Sequence, residues 1–336
     1  MQIHTFEMRK RIKKEFFLCI KNELKKQGHF KISNNSAEFF GLSSKGINLR
    51  LIRHDESGYV SYMLLYILTP ARVFEPENYI ALFDVSNYEK LKTRINSMLA
   101  EVSTFLPPLD MCKLGRVDFT FNAKFDTENQ VAVYLKFLQK ALIPPDFKIK
   151  SEYDITTHHR KPLPNQMTIS KENDIELSIY DKYAQMREDE NTFSSENLES
   201  ARRILRFEIR CKKKNLKKIY HLYNCSSVDD FFKKTPSIGK DLFNRFFLQM
   251  FGPGKILSKN EAKAFIDKHT IKSDVKRKLV YYLKDGFAGL SKKSCKTIRK
   301  HFAKMGICLI FMPKKKREVF GEEMPSVSDL YQRFMS

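Results

Sequence analysis

Three stretches alternate so regularly between apolar and polar residues that each has to be an extended strand: Arg116-Val-Asp-Phe-Thr-Phe121, Ile175-Glu-Leu-Ser-Ile-Tyr180 and Ile204-Leu-Arg-Phe-Glu-Ile-Arg210. Successive side chains on a strand point to opposite faces, so Val117, Phe119 and Phe121 share one face, as do Ile175, Leu177 and Ile179, and Leu205, Phe207 and Ile209. If the strands share a sheet, the other face gathers Asp118, Glu208, Arg116, Arg206, Arg210 and Tyr180. That is a chemical inventory rather than an ordinary solvent face.

The flanking pattern fixes the class. Residues 47–53 and 59–69 read as strands around the turn signal Asp55-Glu-Ser-Gly58, residues 86–104 and 128–142 as amphipathic helices, and residues 7–27 as a basic helix. This predicts an α+β domain over residues 1–222, an antiparallel sheet with helices on one face. Residues 150–165 read as a loop and 184–200 as a flexible polar connection.

Beyond a boundary near 222–236 the chain reads as short helices at 228–233, 238–251, 258–269, 274–284 and 291–305, then a strand at 307–311. The expectation is a mostly helical, basic, winged-helix-like domain over 236–320 and a tail over 321–336.

With 61 Lys and Arg against 39 Asp and Glu, the net charge of +22 points to a polyanionic partner, nucleic acid before membrane. The six Cys show no zinc spacing and read as reduced thiols. With no apolar leader and no apolar run of membrane-spanning length, the chain is expected to be soluble and cytoplasmic.

Asp118 and Glu208, each two residues after an arginine, are a pattern that can hold one Mg²⁺ or Mn²⁺ and equally one that makes plain ion pairs with Arg116, Arg206 and Arg210. A tyrosine such as Tyr180 can attack a DNA phosphate, with Lys182 and the arginines stabilising charge, and can equally be a half-buried strand residue. His158 and His159, adjacent on an extended chain, point apart and cannot share a metal there.

Two basic runs suit phosphate contacts. The first holds Arg210, Lys212, Lys213, Lys214, Lys217 and Lys218. The second, opened by an N-capping Ser291, holds Lys292, Lys296, Arg299 and Lys300 in a helix–turn–helix context.

On Arg116-Val-Asp-Phe-Thr120, Ile179-Tyr-Asp-Lys182 and Leu205-Arg-Phe-Glu-Ile-Arg210 the chain resembles the phage and plasmid replication initiators of the filamentous-phage gene II/X type, over roughly residues 45–330. The resemblance implies a metal-dependent nickase that binds a replication origin, forms a tyrosyl-DNA bond and starts rolling-circle replication. Host helicase and polymerase, and a second copy of the chain, are the protein partners it suggests.

By that resemblance Asp118 and Glu208 match the metal-holding carboxylates, and Lys182 the basic residue after Tyr-Asp. Arg116 and Arg206 would stabilise charge on the phosphate. Where many relatives carry a tyrosine about thirteen residues before the Tyr-Asp-Lys, this chain has Met167. If Lys171 faces Ile175 across a three-residue turn, Met167 joins the apolar face and Tyr180 the charged one. Either Tyr180 (or Tyr153 or Tyr183) is the nucleophile, or the chain binds its origin without cutting it, as a copy-control factor would. A conjugative relaxase shares the chemistry.

Overall fold

A computed structural model describes the whole chain except residues 34, 57–58, 142, 144–146, 151, 155–158, 162, 172–174, 189–192, 313–318 and 321–322. The α+β expectation holds. The strands are β1 (Gln2–Ile12), β2 (Phe30–Ser33), β3 (Ser36–Phe39), β4 (Ile47–Glu56), β5 (Tyr59–Leu68), β6 (Lys113–Lys124), β7 (Lys148–Lys150), β8 (Glu152–Asp154), β9 (His159–Lys161), β10 (Gln166–Lys171), β11 (Ile175–Asp181), β12 (Ile204–Lys212), β13 (Lys255–Leu257) and β14 (Ile307–Phe311).

Ten of them form one antiparallel sheet in the order β2-β3-β4-β5-β1-β6-β12-β11-β10-β7. The three strands singled out by their alternation, β6, β12 and β11, are consecutive in it.

The helices are α1 (Lys14–Lys26), α2 (Pro70–Phe74), α3 (Tyr88–Val102), α4 (Glu128–Leu138), α5 (Lys182–Arg187), α6 (Ser195–Ala201), α7 (Lys213–Leu222), α8 (Val228–Phe251), α9 (Lys259–Lys268), α10 (Ser273–Asp285), α11 (Lys292–Lys304) and α12 (Val327–Met335). Among the described residues no helix is long and apolar enough to cross a membrane.

Several local expectations are corrected. Residues 7–12 belong to β1, because the whole segment pairs with β5 and its first part, to Arg9, with β6 as well, and the helix begins only at Lys14. The helices expected at 228–233 and 238–251 are one, α8, which runs through Pro236. Within 150–165, β8 and β9 pair as an antiparallel ribbon; within 184–200 lie α5 and α6.

By internal contacts the chain divides into two compact units, Met1–Thr120 with Ile209–Gly239, and Phe121–Glu208 with Lys240–Ser336. In the first, β1 lies between β5 and β6, and its buried Phe6 meets the Phe232 ring at 5.0 Å. Tyr88 of α3 stacks on the same ring at 4.0 Å.

In the second unit, Phe121 stacks on Phe207 at 4.5 Å and is walled by Phe243, Phe247 and Tyr331 at 5.7, 6.1 and 5.3 Å. Burying one such ring contributes about 2 kcal/mol. This cluster fixes which way β6 and β12 present their apolar sides. The C-terminal helices α9–α11 build their own core around Leu279, Tyr282, Ile298 and Phe302, where the Tyr282 hydroxyl donates to the Leu309 carbonyl at 2.7 Å.

Candidate functional site

The polar face of the central strands is not wet. Asp118 is 1% exposed. An isolated carboxylate at such depth would be strongly disfavoured unless paired. Arg210 meets it sideways-on, its Nε 3.2 Å from Oδ1 and its Nη2 3.3 Å from Oδ2, and the Arg116 Nε lies 3.3 Å from Oδ1. All three residues belong to the first unit. Beside them the Cys211 thiol is driven far above its ordinary pKa, first by burial and then by the Asp118 charge, so it is no nucleophile.

In the second unit, Glu208 is 4% exposed and accepts a hydrogen bond from the Tyr180 hydroxyl at 3.5 Å. Tyr180 reaches it because β10 and β11 pair in the register expected from the turn: Lys171 faces Ile175, Met167 faces Ile179 and Gln166 faces Tyr180. Met167, 3% exposed, therefore sits on the apolar side with Ile169, Leu177 and Ile179.

Tyr180 also lines a cavity of about 340 Å³ with Pro164, Asn165, Gln166, Gln185 and Glu188. The Lys182 ammonium, almost fully buried, donates to the Gln185 side chain at 2.8 Å. Between them Asp181 caps α5 by accepting from the Ala184 amide at 3.1 Å, and burial pushes its carboxyl above the ordinary range.

Arg206 is fully buried, and its Nε donates to the Asn122 side chain at 2.8 Å. Asn122 was missed by sequence reasoning. It continues the polar series 116, 118, 120, 122 of β6, so the alternation contained the signal. The same holds for Gln166, whose place opposite Tyr180 followed from the register.

Of the other tyrosines considered, Tyr183 has its ring under the Arg202 guanidinium at 5.2 Å. The Tyr153 side chain, His158 and the His159 side chain lie outside the described residues.

Lys212 is the N-cap of α7, and Lys213, Lys214, Lys217 and Lys218 are exposed along that helix. On α11, Lys292, Lys296 and Lys300 are exposed, while Cys295, Ile298 and Phe302 face the core. Arg299 is partly withdrawn: its Nε donates to the Cys295 carbonyl at 3.4 Å, and its guanidinium lies 5.9 Å from the Phe287 ring centre. Helix α10, a turn, α11 and β14 follow in the expected order, with β14 pairing in parallel with β13. Among the described residues no three His, Cys, Asp or Glu side chains cluster as a metal-binding group.

No curated protein and no solved structure matches the chain. A family model for the N-terminal region of phage replication-associated proteins matches residues 18–232 and so takes in Asp118, Tyr180 and Glu208 with the strands that carry them. With well over half of its 336 residues matched, the chain belongs to that family of phage replication-associated proteins.

Proposed function

We propose that this replication initiator binds its origin and nicks one strand, with Tyr180 as nucleophile and Glu208 as the group that orients it. The observation carrying the reading is the Tyr180–Glu208 hydrogen bond, 3.5 Å long, on a phenol that also borders a cavity.

A phenol has a pKa near 10 and a carboxyl one near 4, so Glu208 alone cannot hold the proton before attack. It can align the hydroxyl and take the proton as the phosphorus–oxygen bond forms. Attack by the Tyr180 oxygen breaks the bond from phosphorus to the 3′ oxygen, and that oxygen leaves as a 3′-hydroxyl after protonation by water. The 5′-phosphate stays on the tyrosine, which conserves the bond for later rejoining.

Mg²⁺ or Mn²⁺ takes one or two carboxylates from protein and keeps water for the rest of its shell. Glu208 offers such an oxygen, being buried and set directly against the phenol. Asp118 is the second carboxylate named by the family resemblance. Its oxygens are engaged by Arg210, so a cation there would replace those contacts. When bound, the ion supplies charge neutralisation at the phosphate. Lys182, held by Gln185, is proposed to stabilise charge beside Tyr180, and the exposed lysines of α11 to contact duplex phosphates.

The test is strand scission of supercoiled origin DNA with Mn²⁺. Tyr180→Phe should abolish nicking, and Glu208→Gln should slow it about 10²–10⁴-fold. Wild-type nicking by Tyr180→Phe would remove Tyr180 from the role.

A second reading, origin binding without cleavage, is favoured by the burial of Met167 among apolar neighbours where many relatives place tyrosine. It predicts no nick by the wild type with either cation.

A further inference from the structure

Within the first unit an open groove of about 1130 Å³ runs between α7 and the adjoining ends of β1 and β6. At that volume it has room for an extended ligand as well as a compact one.

One wall is a single helical stripe, Lys213, Leu216, Lys217, Tyr220, His221 and Asn224, whose spacing of three and four residues places one face of α7 and the turn after it along the groove. The other wall is cationic as well: Lys10 and Arg11 near the end of β1, and Lys113, which pairs with Arg9 across the strands. Arg9 is tied to the Gly115 carbonyl at 2.7 Å and to Glu7 at 3.3 Å. Lys10, Lys113, Lys213 and Lys217 have no carboxylate partner among the described residues. The lining also includes Met63, Leu114 and the exposed Met111, with Leu216 buried.

We infer that this groove holds a segment of single-stranded nucleic acid, its phosphates on the two cationic rows and its bases against the apolar lining. The inference rests on the reading of the chain as a DNA replication initiator and adds a binding path separate from the cavity beside Tyr180. Charge selects a polyanion, and no lining residue is acidic. The apolar lining selects among polyanions. A duplex stacks its bases inward and offers only phosphates and groove edges, whereas a single strand has base faces free to stack on Tyr220, a sequence-tolerant gain, and to cover Met63, Leu114 and Met111. An initiator that opens its origin generates such a strand.

The experiment measures binding of the full chain to a fluorescein-labelled dT12 in EDTA, where no cleavage occurs, as a function of salt. Lys213→Gln with Lys217→Gln, and separately Lys10→Gln with Lys113→Gln, should each lower the salt slope by about 1.4, since each single-strand phosphate contact contributes roughly 0.7. Between 1 M and 0.1 M salt that amounts to a relative loss of roughly 25-fold. The groove is scored by dT12 binding in EDTA and the nicking reading by strand scission with Mn²⁺, so the two fail separately.

Photocrosslinking of wild type to an iodouracil-substituted dT12 should label Tyr220 or Met111, an outcome independent of variant folding. Unchanged salt slopes in variants that melt like the wild type would overturn the inference. So would crosslinks found only elsewhere, equal loss of duplex affinity, or displacement of dT12 by polyglutamate at equal charge.

Discussion

Asp118→Asn separates a structural ion network from an ordinary surface pair. The carboxylate side chain is 2% exposed and serves two guanidinium groups, Arg116 at 22% exposure and Arg210 at 31%. Deleting one partner of a fully buried pair costs about 3–5 kcal/mol, because the charge left behind is uncompensated. Both arginines keep some access to water, so part of that cost is screened, leaving about 2–3 kcal/mol. Asparagine preserves the volume and one acceptor, which isolates charge from packing.

At about 2–4 °C per kcal/mol for units of this size, the melting temperature should fall by roughly 4–12 °C. The assay is thermal unfolding by circular dichroism at neutral pH in EDTA. Arg210→Gln should also destabilise, and the double variant should lose less than the sum of the two, because the groups are in contact. A melting point for Asp118→Asn within 1 °C of wild type would refute the reasoning, since it would mean that neither arginine depends on the buried carboxylate.

Three further outcomes are expected. Burial raises the Asp181 carboxyl above its unfolded value, so its charged form is penalised in the fold at neutral pH, a penalty absent once pH falls below the unfolded pKa of about 4. Since asparagine caps a helix as well as aspartate, Asp181→Asn should unfold at higher temperature than wild type at pH 7 and match it near pH 3; lower stability at pH 7 would contradict this. Gly254 has φ +103°, and a Cβ there would lie 2.1 Å from the Gly306 carbonyl oxygen, so Gly254→Ala should destabilise the β13–β14 pair by about 1–3 kcal/mol in urea unfolding, and an unchanged midpoint would argue against that packing. Lys296→Gln with Lys300→Gln should reduce the salt slope for duplex origin binding by about 1.8, while an unaltered slope would mean that α11 does not touch phosphate.

Much of the candidate site was legible because strand alternation is a strong local signal. It paired Leu205, Phe207 and Ile209 on one face, put Arg206 and Glu208 on the other, and with a three-residue turn set Met167 opposite Ile179. The parts that were not legible depend on distant partners. Arg9-Lys-Arg11 followed by Ile12 has a helix-like composition, and only its bonding to β5, joined by β6 as far as Arg9, makes it strand.

Pro236 reads as a helix break, worth about 3 kcal/mol against continuation, yet α8 carries buried Phe231, Phe232, Phe243 and Phe247, whose combined burial outweighs it. Nor does alternation tell whether a polar face meets water. The burial of Asp118, Glu208 and Arg206 follows from their place in the middle of a ten-stranded sheet.

The most direct test of the central claim is mass spectrometry of the protein after incubation with supercoiled origin DNA and Mn²⁺, followed by nuclease trimming. The expected result is a nucleotide adduct on the peptide containing Tyr180, lost in Tyr180→Phe. An adduct mapped to any other tyrosine, or tight origin binding with no adduct and no nick, would contradict it.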